Sequence, residues 1–418
     1  MSRPLPLALY RLATAGLEPL APALLRRRTA RGKEDAARIG ERLGRAGLAR
    51  PAGPLVWLHG ASVGETLSLL PLIDWLRAQR PDLTLLVTSG TTTSAQLLAR
   101  RLPEGAIHQY APIDAPGALK RFLAHWKPDL VVLAESEIWP NLIGEAKAAG
   151  AKLALVSARM TPSSAAGWSR LPRSAAAVFG SFDVVLAQDD ASAQRLTQLG
   201  ARDDGRLNLK LAGDPLPVDI AALKALKAAS GKRPILLAAS THDGDEAMTL
   251  AAYAKADPGC RALLVIAPRH PARAQAVVDL ARDEGFTAAL QSEAPFGQAE
   301  VQVIDALGAL GPWFAAAALA YIGGGLSDRI GGHNPLEAAR LDCAVASGSR
   351  VGNWASVYAA LGDTAVVTDD ADALAVAFQT ALDDPKAVKV RARRARAIAD
   401  AQAAGLEAAF APIKALLP

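Results

Sequence analysis

The chain has 418 residues, about half of them apolar, and a formal charge of +5, so it is globular and too long for a single core. Its two cysteines, Cys260 and Cys343, lie far apart without CxxC spacing, which argues against a disulfide framework or a zinc site and fits a reducing compartment. Aromatics are few and not interleaved with basic residues, so nucleic-acid binding is not expected.

The positive charge is concentrated near the start. Arg26, Arg27, Arg28, Arg31, Lys33, Arg38, Arg42, Arg45 and Arg50 face only Glu34, Asp35 and Glu41 there. Ahead of them, residues 4–25 are apolar but broken by Arg11, Glu18, Pro19 and Pro22, so no run reaches the length of a bilayer span. No small-residue cleavage site follows, which argues against a secretory signal peptide. An apolar segment followed by arginines suits a helix lying on an anionic membrane surface, with the charge favouring the cytoplasmic side. A helix packed on its own domain with a basic solvated face fits the same pattern.

From residue 54 short apolar runs alternate with helical stretches. Leu55-Val-Trp-Leu58 ends in His59-Gly-Ala-Ser-Val-Gly-Glu65, and a helix is expected over roughly Thr66 to Ala78. Further strands are expected at Leu83–Val87, Leu130–Leu133, Leu153–Val156 and Val184–Ala187. The pattern breaks around Gly213-Asp-Pro-Leu-Pro217, the candidate linker. Beyond it Ile235–Ala239, Leu263–Ile266, Val301–Ile304, Ala318–Ile322, Ala344–Val345 and Ala365–Val367 repeat the alternation. Strand, loop and helix in this order predict α/β domains with parallel sheets and helices on both faces. We therefore expect residues 1–50 as a helical N-terminal segment, 51–212 as one open α/β domain, and 213–418 as a second. The Ala- and Arg-rich stretch from Lys386 to Leu417 either closes the second domain or crosses back to the first.

Polar and glycine residues gather after each strand, where such sheets bind ligands. Glu65 is there either a general base or a favourable first-turn charge. Glu135 and Glu137 follow a strand and, in an extended segment, share one side. Two nearby acids repel unless a cation or proton sits between them, with Arg159 and Lys210 as candidate partners. Arg269, between Pro268 and His270, suits a phosphate because its fork binds oxygens bidentately. In Gly323-Gly-Gly-Leu-Ser-Asp-Arg-Ile-Gly-Gly-His-Asn-Pro-Leu-Glu337, glycines allow close backbone approach, and Asn334, Pro335 and Glu337 are placed as N-cap, first helical residue and capping-box acid. That stretch reads either as a cradle for a nucleotide phosphate and its sugar or as an ordinary βα turn with a capped helix. His242 and His333 also follow strands. The acid groups Asp243/Asp245, Asp189/Asp190 and Asp369/Asp370/Asp372 precede helices and read as caps, so no metal site is expected. No Walker A loop or dinucleotide fingerprint is present, and no cofactor is expected.

Taken in order, Gly60–Glu65, Glu135–Asn141, Ser157-Ala-Arg159 with Ser163-Ser164, Asn208-Leu-Lys210, Ser240-Thr-His242, Ala267–Pro271 and Gly331–Glu337 resemble the 3-deoxy-D-manno-octulosonic acid (Kdo) transferases of lipopolysaccharide synthesis. The resemblance runs from the N-terminal segment to near the end. It implies a GT-B fold, two Rossmann-like domains facing a central cleft, with CMP-Kdo as donor and the lipid A precursor as acceptor. It also implies membrane association at the cytoplasmic face of the inner membrane. Glu65 matches the family's general base, and Glu135 and Lys210 match positions that stabilise the transition state. Pro268, Arg269, Leu307, Gly308, Ala309, Asn334, Pro335, Leu336 and Glu337 match CMP contacts. The sequence departs from the pattern at Asp305-Ala-Leu-Gly-Ala-Leu310, which lacks the usual Gly-Glu pair, and at Leu207, where the family has glycine. Two rival readings remain: a non-catalytic sugar-nucleotide-binding protein at the membrane surface, and a soluble sugar-nucleotide epimerase.

Overall fold

The computed structural model describes residues 3–211, 215–306, 308 and 310–418. The chain divides into two compact units, Met1–Gly213 with Ala404–Pro418, and Asp214–Ala403.

The first unit is built on six strands: β1 (Leu55–His59), β2 (Thr84–Ser89), β3 (Ile107–Tyr110), β4 (Leu130–Ala134), β5 (Lys152–Ala158) and β6 (Val184–Ala187). They pair in the order β3-β2-β1-β4-β5-β6, all parallel. Every residue of β1, β2 and β4 is buried, as expected where helices cover both faces of a parallel sheet. Trp57, Phe122 and Trp126 fill the centre of the core, with the Trp57 and Phe122 ring centroids 4.4 Å apart. The strand order reverses between β1 and β4, so the loops after these two strands open side by side. The helix expected over Thr66–Ala78 is two helices, Val63–Ser68 and Leu70–Gln79. Pro71 has no N–H to continue the first helix, and it sits in the opening turn of the second, where none is needed.

The N-terminal segment forms helices Leu5–Leu17 and Ala21–Thr29, joined by a 3₁₀ turn at Pro19. The first helix is pinned to its unit by polar contacts. Tyr10 Oη donates to Asp114 at 2.9 Å, Asn141 Nδ2 donates to Thr14 Oγ1 at 2.9 Å, and Glu18 accepts the Gly117 amide at 2.8 Å. Leu7 packs on the core, while Leu5, Leu9, Leu12, Leu17, Leu20 and Leu24 stay exposed. The helix is thus amphipathic, docked on one side and apolar on the other. Among the described residues no helix is long and apolar enough to cross a membrane.

The second unit carries β7 (Ile235–Thr241), β8 (Leu263–Pro268), β9 (Ala288–Leu290), β10 (Val301–Val303), β11 (Leu319–Ile322), β12 (Ala344–Ser347) and β13 (Ala365–Val367). They pair in parallel in the order β13-β12-β11-β7-β8-β10-β9. Here the order reverses between β7 and β11. Two parallel-sheet Rossmann-like domains define the GT-B fold class. The stretch from Lys386 to Leu417 is not one helix: Val388 and Ala392, in Pro385–Ala404, pack into the second core. The short helices Leu406–Ala409 and Ala411–Lys414 belong to the first unit, where Phe410 lies against Trp75 with ring centroids 5.1 Å apart.

Candidate active site

In the first unit the polar residues converge at the carboxyl ends of β1 and β4. Ser62 caps the helix Val63–Ser68, its hydroxyl accepting the Glu65 amide at 3.3 Å. Glu65 Oε2 accepts the amides of Ala61 at 2.6 Å and Ser62 at 3.1 Å, so Glu65 completes a capping box. The two bonds engage one carboxylate oxygen and leave Oε1 for another partner. Capping and catalysis are therefore compatible here: the helix orients the carboxylate. Burial pushes the Glu65 carboxyl above its ordinary range, the charge of Glu137 adds to that, and Glu135 contributes after the opposing Ser62 amide.

Glu135 and Glu137 do not lie in an extended segment. Glu135 has a φ of 53° and opens a turn, a conformation that glutamate rarely adopts, so alternation does not govern this pair. Each acid has its own partner instead. Glu135 is buried, with Lys210 Nζ 3.0 Å from Oε1 and donating to Oε2 at 3.1 Å. Lys210 comes from a 3₁₀ turn, Leu209–Leu211, held beside the strand ends by Leu207 N to Ala187 O at 2.9 Å and Leu209 N to Ser157 Oγ at 3.3 Å. Leu207 is buried and does not adopt the left-handed backbone, so this chain has no need of the family's glycine there. Arg159 joins through its backbone, its amide donating to Glu135 O at 3.1 Å.

Glu137 Oε2 lies 3.1 Å from His59 Nε2 and accepts Trp139 Nε1 at 2.6 Å. His59 Nδ1 sits 2.9 Å from Thr88 Oγ1, which also receives Trp57 Nε1 at 2.8 Å. Burial raises the Glu137 carboxyl, but the His59 hydrogen bond and charge and the Trp139 bond outweigh it, and Glu137 ends below the ordinary range. The sequence reads Glu137 as the partner acid of Glu135 and gives no reason to join it to His59. Only the strand order, which sets β1 beside β4, brings them together.

In the second unit β11, β7, β8 and β10 are consecutive neighbours, so their carboxyl ends line one edge. His333, His242, Arg269 and Gly308 follow these four strands in turn. His242 Nε2 and His333 Nε2 are 2.8 Å apart, with their rings within 7° of parallel. One nitrogen must donate and the other accept, so a single proton lies between the two Nε2 atoms and the accepting ring keeps its own on Nδ1. Burial and the charge of His242 hold His333 down at about 4. Arg269 is exposed, its backbone amide on Thr241 O at 3.0 Å. Pro268 is the last, buried residue of β8. Leu307 and Ala309 fall outside the described residues; Gly308 between them has a φ of 87°.

The glycine-rich stretch after β11 differs from expectation in two ways. The helix it leads to is a single turn, Leu336–Ala339, so its dipole is small. Asn334 Oδ1 still accepts the Leu336 amide at 3.0 Å, Pro335 stands in the N-cap place, and Asn334 Nδ2 reaches Glu337 Oε1 at 3.5 Å. Glu337 is half-buried, and that burial pushes its carboxyl above the ordinary range. Second, Gly323 and Gly325 serve the fold. A Cβ on Gly323 would lie 2.6 Å from Ser240 O, and one on Gly325 would lie 2.8 Å from Gly348 Cα. Asp245 is not a cap either. It is buried, and it accepts the Gly324 amide at 2.7 Å, the His242 amide at 2.9 Å and the Tyr321 hydroxyl at 2.9 Å, tying the loops after β7 and β11 together. Asp189 and Asp370 do cap their helices. Among the described residues no cluster of metal-ligating side chains occurs.

Two parallel-sheet Rossmann-like domains, one with acids at its sheet edge and the other with a basic, glycine-rich edge, place the chain in the GT-B fold class. Solved structures share the fold. An Anabaena HepE protein in complex with UDP and glucose superposes with a TM-score of 0.60 at 14% identity, over 87% of this chain and all of that one. A glycosyltransferase from Rickettsia africae gives 0.56 at 12%, over 88% and 96%. A UDP-GlcNAc 2-epimerase from Neisseria meningitidis gives 0.56 at 14%, over 86% and 100%, so the fold alone does not separate transferase from epimerase. Sequence does. Residues 37–212 match the family model described as 3-deoxy-D-manno-octulosonic-acid transferase. A Kdo transferase of Rickettsia bellii is 37% identical over 314 residues, 74% of each chain, and one of Bordetella pertussis is 35% identical over 366 residues, 82% of this chain and 83% of that one. A probable mitochondrial Kdo transferase of Arabidopsis thaliana is 32% identical over 84% of this chain and 82% of that one. The chain belongs to the Kdo transferase family and is a glycosyltransferase enzyme, which sets aside the non-catalytic and epimerase readings.

Proposed function

We propose that the chain moves Kdo from CMP-Kdo to a sugar hydroxyl of the lipid A precursor, lipid IVA, with Glu65 as general base. The observation that carries this reading is the trio of carboxylates at the switch point of the first unit. Glu135 is bonded to Lys210 and Glu137 to His59, while Glu65 keeps one oxygen available and has a raised pKa. Of the three, Glu65 is thus the one suited to take a proton. In the proposed step its carboxylate accepts the hydroxyl proton, the oxygen bonds to the anomeric carbon of Kdo, and CMP departs with the electrons of the broken C–O bond. The Glu135–Lys210 pair stabilises the transition state. In the second unit Arg269, with loop backbone at Gly308 and at Asn334 to Glu337, offsets the charge on the departing phosphate.

The exposed leucines from Leu5 to Leu24, followed by exposed Arg26, Arg27 and Arg31, support a helix lying on the cytoplasmic face of the inner membrane. The test of the reaction is incubation with CMP-Kdo and lipid IVA, followed by mass spectrometry of the lipid. Addition of one or more Kdo units supports the proposal; an unmodified lipid in the presence of intact donor contradicts it.

A further inference from the structure

Trp139 is the only aromatic among the strongly exposed large apolar side chains of the described residues, 43% accessible to solvent. It is not loose. Its indole N–H is fixed to Glu137 Oε2 at 2.6 Å, the backbone enters a helix at Pro140, and Glu137 is braced from the other side by His59. His59 ends β1, whose loop leads to Glu65, and β1 lies beside β4, so the bond from Glu137 to His59 holds the ring's loop next to the loop of the base. Two residues further on, Asn141 bonds to Thr14 and to Asp114, the acid that also receives Tyr10. The loop bearing Trp139 is therefore tied to the helix that exposes Leu5, Leu9 and Leu12.

A rigid, half-exposed indole with its polar edge already satisfied offers only an apolar face. The apolar C–H face of a pyranose ring suits such a surface, and stacking there would leave the sugar hydroxyls at the ring's edge free for the base. We propose that Trp139 is the platform on which the sugar of the glycolipid acceptor stacks, beside the leucines that meet its acyl chains. This rests on the assignment of Glu65 as the base and adds an acceptor-recognition residue to it. Glu137 then has two tasks: it raises Glu65 and it sets the plane of Trp139.

The experiment is steady-state kinetics of the full-length enzyme in detergent micelles with lipid IVA and CMP-Kdo varied separately. Trp139→Gln retains a donor for Glu137 but removes the ring, whereas Trp139→Phe retains a ring without the N–H. The platform predicts an acceptor KM about tenfold higher for Trp139→Gln, a smaller rise for Trp139→Phe, and a donor KM within about twofold of wild type for both. An unchanged acceptor KM in Trp139→Gln, or a rise in donor KM instead, overturns it. Glu65→Gln, measured in parallel, separates the two ideas. Lost turnover there with an unchanged acceptor KM in Trp139→Gln removes only the platform, whereas retained turnover removes the base itself.

Discussion

Lys210 closes on Glu135 across 75 positions of sequence, its Nζ 3.0 Å from Oε1 and 3.1 Å from Oε2. Both side chains are largely buried. Removing one partner of such a pair strands the other, which is usually worse than removing both. Lys210→Met is expected to lower stability by about 3 kcal/mol. Adding Glu135→Gln should recover much of that loss without recovering turnover. Denaturant melts of the two variants check it, and equal destabilisation in the double variant would contradict the stranded charge of Glu135 as the source of the loss.

Glu137 adds to what burial does to its neighbour Glu65. Its charge follows burial among the causes that raise Glu65, so Glu137→Gln should lower the pKa of Glu65. A base must be deprotonated to act, so the acid limb of the rate profile should move to lower pH in Glu137→Gln. A profile of kcat/KM against pH reads the shift, and an acid limb that stays in place contradicts the coupling.

The histidine pair of the second unit predicts an acid-labile fold. His333 titrates at about 4 in the folded protein because of burial, then His242, against an ordinary value of 6.5. A depressed folded pKa stabilises above the unfolded value and loses that contribution as pH falls through the folded one. Thermal melting should therefore drop between about pH 6.5 and 4, and His333→Gln should flatten that part of the curve.

Gly323 tests whether the glycine loop serves the fold. A Cβ there meets Ser240 O at 2.6 Å, Thr241 Cα at 2.7 Å and Asp245 Oδ2 at 2.9 Å, mostly backbone that cannot yield. Gly323→Ala is expected to cost about 1–3 kcal/mol and to weaken CMP binding. Gly352→Ala, with no neighbour within 4 Å of its Cβ, is the matched control and should do neither. Calorimetry on both variants decides.

Much of this was legible in the residues. The apolar runs placed the strands, and polar residues after each strand marked the sheet edges that carry Glu65, Glu135, Arg269 and His333. What was hidden depends on strand order and local backbone. His59 meets Glu137 only because β4 lies beside β1, which no local pattern states. The alternation rule failed at Glu135 because a left-handed residue ended the extended segment. Asp245 looked like a cap because it opens a helix, but its carboxylate turns inward to Gly324 and Tyr321. The helix after Asn334 was well signalled at its start and lasts one turn, since Asp342 takes a left-handed φ of 56° just beyond it.

The N-terminal helix carries its own test. Leu9→Asp with Leu12→Asp places charge on the exposed apolar stripe without touching Tyr10 or Thr14, which dock the helix. Flotation with vesicles containing anionic lipid should show the wild-type protein bound and the variant in the soluble fraction, with unchanged melting. Equal flotation of both would contradict a membrane role for the stripe.

The central claim is that Glu65 removes the acceptor's proton. Glutamine at this position keeps an oxygen for the Ala61 and Ser62 amides, so the capping box and the fold survive the change. The deciding measurement is turnover of Glu65→Gln with CMP-Kdo and lipid IVA, alongside its calorimetric affinity for CMP. The prediction is an affinity within about twofold of wild type and a turnover lower by roughly 10²–10⁴-fold; wild-type turnover in that variant would contradict the account.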